Sequence, residues 1–140
     1  MIRISISALL TGLLLLGCMK IHIKAVVQDI NGLETEIDKA RLAKGNAFYV
    51  IDGMARRTIP IKEVDIIKFS SDVLKTINGE IYYQAQVELK DGTKIIPYQL
   101  PDGTRSPVFV NIENEIQGDY HSGKFSLDLK DAGVITIIIP

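Results

Sequence analysis

The chain has 140 residues, 46% of them hydrophobic and 24% charged, with 16 lysines and arginines against 17 aspartates and glutamates for a net charge of −1. That balance argues against a nucleic-acid binder, which needs a marked basic excess, and a single cysteine leaves no internal disulfide. Stability must come from apolar burial, in a chain long enough for one domain or two very small ones.

At the N-terminus, Arg3, the apolar run Ile4 to Leu16 and the closing Leu15-Leu16-Gly17-Cys18 have the layout of a secretory signal. A bilayer-spanning helix needs about 20 apolar residues; the run is shorter, and Lys20, His22 and Lys24 stop its extension. Leu15-Leu16-Gly17-Cys18 resembles the lipobox of bacterial lipoproteins. The resemblance implies a signal peptide over 1–17, cleavage before Cys18, a diacylglyceryl thioether on that cysteine and membrane attachment through its lipid. Met19 stands where an aspartate would retain such a protein at the inner membrane, so the implied location is the outer membrane of a bacterial envelope. Two or three acyl chains, at about 0.8 kcal/mol per buried methylene, make that anchor effectively permanent.

Directly after the cysteine, Lys20 to Val27 alternates and predicts a first strand, which would hold the domain close to the headgroups. Over 35–44 a short helix competes with extended chain, because Leu33, Ile37, Ala40 and Lys44 fall at helical spacing between a capping Thr35 and a terminating Gly45. Asp52-Gly53 predicts a turn from which Arg56 and Arg57 project, and Ile59 and Ile61 alternate after it. The strongest period-two signal is Glu80 to Lys90. Ile81, Tyr83, Ala85, Val87 and Leu89 share one face; Tyr82 stands on the polar one. Asn78-Gly79 and Asp91-Gly92 predict two-residue hairpins at its ends, to Val73–Ile77 and Lys94–Tyr98. Further alternation runs through Val108, Val110 and Ile112, then Phe125, Leu127 and Leu129. Val134 to Ile139, apolar on both faces, reads as a buried strand.

Ile59 to Phe69 also lies on Leu127 to Ile137 without a gap, and Val27 and Gly32 match Val87 and Gly92 at a different offset that the loop Leu100 to Pro107 absorbs. Each unit reads as strand, glycine turn, strand, irregular stretch, strand, one helical turn (Lys62-Glu63-Val64 or Lys130-Asp131-Ala132) and closing strand. This order resembles SH3-like or Sm-like small barrels. The implied fold is all-β: two tandem small SH3-like barrels over 18–72 and 73–140, or one merged barrel or sandwich.

Chemistry-bearing patterns are sparse. The histidines, His22 and His121, have no partners at metal-ligand spacing, and the Asp-Gly pairs are isolated turns without phosphate-cradling glycines. Asp119-Tyr120-His121-Ser122-Gly123 contains the residues of a triad but reads as a turn. Glu113 and Glu115, two apart on one side of a strand, would serve acid–base catalysis only with one pKa raised. No catalytic site, cofactor or metal is therefore expected. Binding features are better matched: Arg56 and Arg57 suit phosphate, headgroup or an acidic partner, and Tyr82, Tyr98 and Tyr120 suit an aromatic recognition surface. The expected function is a non-catalytic envelope lipoprotein that binds a protein or cell-wall component. Alternatives are a carrier of lipid or small ligand in an apolar cavity, and a small hydrolase using His121 and nearby carboxylates.

Overall fold

Alternation of buried and exposed side chains becomes strand throughout the computed structural model, which describes residues 22–121 and 123–139. The Cys18 motif lies outside the described residues, as do Lys20 and Ile21. The strands are β1 (Lys24–Asp29), β2 (Glu34–Leu42), β3 (Ala47–Asp52), β4 (Ala55–Pro60), β5 (Val64–Ile77), β6 (Glu80–Leu89) and β7 (Lys94–Ile95). They continue with β8 (Tyr98–Gln99), β9 (Arg105–Ser106), β10 (Val108–Asn111), β11 (Glu115–Tyr120), β12 (Gly123–Asp128) and β13 (Ala132–Ile138). The fold is all-β, and every strand pairing is antiparallel.

Ten strands follow one another in a ladder ordered β12-β11-β2-β1-β13-β5-β6-β10-β3-β4, with β7 beside β6 and β8-β9 a separate pair. Read from either end, this order exchanges the two repeat units about the β5–β13 pair. The strands β3, β4 and the start of β5 recur as β11, β12 and β13 at a constant offset of 68 residues. The 3₁₀ turns Ile61–Glu63 and Leu129–Asp131 recur at the same offset, one residue ahead of their expected places. Hydrogen bonds repeat too: Ile61 N–H donates to Asn46 O and Leu129 N–H to Asn114 O, while Lys90 N–H donates to Glu63 O and Ile30 N–H to Asp131 O. On the pseudo-twofold itself, Ile67 faces Ile135.

The two units are not tandem barrels; they are merged. β2 pairs with β11 and β10 pairs with β3, so each unit's middle strand crosses to the other unit. The crossing is pinned where Asn114 Oδ1 accepts from Lys44 N–H and Asn114 Nδ2 donates to Lys44 O, both at 3.0 Å. One core cluster holds Ala25, Val27, Ile37, Phe48, Ile67, Val87, Val110, Ile116 and Ile135, drawn from both units. No helix of the described residues is long and apolar enough to cross a membrane.

Residues 34–42 are strand, not the short helix. Ile37 and Ala40 are both buried although three apart because Lys39, at φ 51°, inserts a bulge that returns the next residue to the same face. A bulged strand thus imitates helical spacing. The first strand begins at Lys24, although Ile23 O already accepts a 2.8 Å bond from Ala40 N–H. Asn78-Gly79 forms the two-residue turn between Ile77 and Glu80, with φ of 51° and 80°. Asp91-Gly92 instead sits in a wider turn closed by Leu89 N–H to Thr93 O, with Gly92 at φ 90°. Pro97 interrupts Lys94 to Tyr98, leaving β7 and β8 as separate short strands.

Candidate functional site

The pseudo-twofold generates two equivalent hairpin turns, β3–β4 at Gly53-Met54 and β11–β12 following Tyr120 at His121, and the predicted binding residues divide between them. At the first turn Met54 is fully exposed. Beside it runs a groove of about 410 Å³ between Ile51, Met54 and Arg56 on one wall and Lys75, Ile77 and Asn78 on the other. Lys75 Nζ also lies 5.4 Å from the Phe109 ring centroid, a cation–π contact.

Arg56 is braced there. Its Nη2 donates to Glu80 Oε2 at 3.3 Å and to the Tyr82 hydroxyl at 3.4 Å, while that hydroxyl donates to Glu80 Oε2 at 2.7 Å and Asn111 Nδ2 approaches the same oxygen at 3.5 Å. Tyr82 lies on the face of β6 the alternation assigned, but it is 1% exposed and outside the main core cluster. It is therefore not an exposed recognition side chain. Burial, then the Glu80 carboxylate, pushes its phenol above the ordinary tyrosine pKa, so it stays protonated and donates. Arg57 instead closes on Asp52, Nη2 to Oδ2 at 3.2 Å. Tyr98 is exposed in β8, its hydroxyl 3.3 Å from the place a Cβ on Gly53 would take. Arg56 and Tyr82 thus meet, and Tyr98 flanks the turn.

The sequence reading did not single out Glu80, Asn111 or Lys75. Glu80 and Tyr82, two apart on one strand face, were the available signal, but the approach of β4 was not. Changing Tyr82 to Phe should cost about 0.5–1.5 kcal/mol in urea unfolding, the range of one net hydrogen bond. In Arg56→Ala the same change should cost measurably less, since the Arg56–Tyr82 contact is then already gone.

At the second turn, Tyr120 is exposed and meets the His121 ring edge-on, with centroids 4.5 Å apart. His121 takes φ 49°, as Gly53 takes 62° at the equivalent place. Asp119 accepts from Lys124 Nζ at 2.8 Å and lies 3.8 Å from Lys39 Nζ. The Lys124 bond first, then the charges of Lys124, Lys39 and Arg41, holds its carboxyl below the usual range. Lys24, Glu36, Asp38 and Lys39 line the adjoining groove.

Glu113 precedes β11 rather than sharing it with Glu115. Both line a cleft with Lys44, Asn114 and Lys130. Glu113 accepts from Ile81 N–H at 3.2 Å, and Glu115 from the Ser126 hydroxyl and from Gln117 Nε2 at 3.1 Å. Those two bonds lower the Glu115 pKa, the opposite of what a proton donor near neutral pH requires. Among the described residues no group of three or more histidine, cysteine, aspartate or glutamate side chains is placed to hold a metal ion. Comparison with family models, curated proteins and solved structures finds no match.

Proposed function

We propose that this chain is a lipid-anchored envelope lipoprotein, attached through Cys18 at the outer membrane, whose β domain binds a protein or cell-wall component. The observation that carries the reading is the position of Leu15-Leu16-Gly17-Cys18 at the end of the apolar run, so close to the folded body. Ile23 is already hydrogen-bonded to β2. Five residue steps separate it from Cys18, a span of at most about 18 Å at about 3.6 Å each. An anchored domain would stay against the headgroups.

The groove beside Met54 suits a protein partner: Ile51, Met54 and Ile77 offer apolar contact while Arg56 and Lys75 favour acidic side chains. Mass spectrometry of the N-terminal peptide from the native envelope tests the anchor. The expected result is a diacylglyceryl-modified Cys18, with Cys18→Ala accumulating as uncleaved, unlipidated precursor; an unmodified Cys18 in the mature chain would sink the reading. For the binding role, in-membrane crosslinking from Met54 should trap a discrete partner, and Arg56→Glu should abolish the adduct.

A further inference from the structure

The ladder ends in β4 on one side and β12 on the other, pseudo-equivalent strands whose edges differ. A two-residue hairpin makes its flanking pair hydrogen-bonded, so Asp52·Ala55 and Tyr120·Gly123 fix which backbone groups turn outward. In β4 these belong to Arg56, Thr58 and Pro60; in β12, to Lys124, Ser126 and Asp128. Pro60 has no N–H to donate, whereas Asp128 at the equivalent place in β12 keeps its own. A proline on an edge strand is one way in which sheets discourage edge pairing, and β4 carries it.

The β12 edge is open among the described residues, and its sequence is complementary to itself. Two copies laid antiparallel about Ser126 place Lys124 opposite Asp128 and Phe125 opposite Leu127, with Ser126 opposite Ser126. In that register the three outward-facing residues all become hydrogen-bonded pairs. Phe125 and Leu127, half-buried against the core, fall in the intervening close pairs where side chains approach most nearly. Within one chain Asp128 stands directly opposite Glu115, and neither carboxylate has an ion pair to lysine or arginine among the described residues. Lys124 of a second copy would bring a cation to that pair: its Nζ bonds Asp119 at 2.8 Å within its own chain, but the side chain is 80% exposed and the ammonium has further donors.

We propose that the protein self-associates through β12, edge to edge, the two ladders joining into one sheet about a twofold axis at Ser126. A single strand edge buries less than the about 1,000 Å² of a stable interface, so the association is modest in solution and strengthened where copies share a membrane. Only that strengthening rests on the lipoprotein reading; the edge pairing does not.

The test is sedimentation equilibrium of the full chain in density-matched detergent. The wild-type chain should show a monomer–dimer equilibrium. Lys124→Asp alone and Asp128→Lys alone should each weaken it about tenfold or more, by placing like charges opposite at both symmetric contacts. An equimolar mixture of the two variants should restore it. Asp128→Pro should leave circular dichroism unchanged yet abolish the dimer: Asp128 has φ −63° and ψ 138°, beside −56° and 143° for Pro60. A wild-type chain that stays monomeric, a dimer that survives Asp128→Pro, or a variant mixture that stays apart would overturn the proposal.

Discussion

Changing Gly118 to Val, the residue its pseudo-equivalent Val50 already is, should leave the protein largely unfolded. Gly118 lies in β11 against the bulge of β2, where an added Cβ would sit 2.8 Å from Asp38 O and 2.9 Å from Ile37 Cδ1. The first contact is with backbone and cannot be relieved by a rotamer change. Val50 has room because β10 pairs with β3 without a break, whereas β2 shifts register opposite Gly118. Overpacking a filled site costs about 1–3 kcal/mol, and we expect Gly118→Ala to fall there in urea unfolding. Valine adds two further methyls, against a total stability of about 5–15 kcal/mol for a domain of this kind. Gly118→Val with a wild-type midpoint would mean that the bulge yields easily. The same bulge sets Asp38 and Lys39 along the groove shared with Asp119 and Tyr120, so Gly118→Ala should also disturb the Lys39–Asp119 pair.

The limits of the sequence lie in what alternation can encode. Period two placed β6, β10 and β12 and assigned Ala85 and Val87 to the core, because one buried face is enough to write that pattern; Val134 to Ile139, expected buried on both faces, forms β13 but leaves Ile138 and Ile139 exposed. Alternation failed over 34–42, where one bulged residue turns period two into an apparent spacing of three. The repeat was legible down to its two 3₁₀ turns, since both units must fill equivalent core positions such as Ile61 and Leu129. Crosswise pairing was not: β2 against β11 and β2 against β3 would need the same apolar faces, since β3 and β11 are equivalent. The site fared likewise. Arg56 and Tyr82 were singled out by residue type and position, with Tyr82 expected exposed where it is buried, and their convergence on Glu80 depends on how the sheet brings β4 near β6, which no local signal carries. The burial of Tyr82 follows from that approach.

Truncating Ile67 or Ile135 to alanine tests the merged architecture itself. Both side chains are fully buried, they face each other across the pseudo-twofold, and only three residue pairs join β5 to β13 there. Each substitution should cost about 2–5 kcal/mol, the range for losing a buried isoleucine and leaving a cavity. The two costs should be similar, since the surroundings are pseudo-equivalent: Val87 lies opposite Ile67 and Val27 opposite Ile135. The double variant should lose less than the sum, because contacts between the two isoleucines are counted twice when the single costs are added. All three variants should unfold in one cooperative transition, followed alike by tyrosine fluorescence and circular dichroism. Independent units would behave otherwise: each single variant would melt its own half early and leave the other at the wild-type midpoint. A biphasic curve for Ile67→Ala or Ile135→Ala would therefore contradict a shared core. A single shifted transition is what a ladder that alternates between the two units requires, since neither unit retains its central neighbours once the other opens.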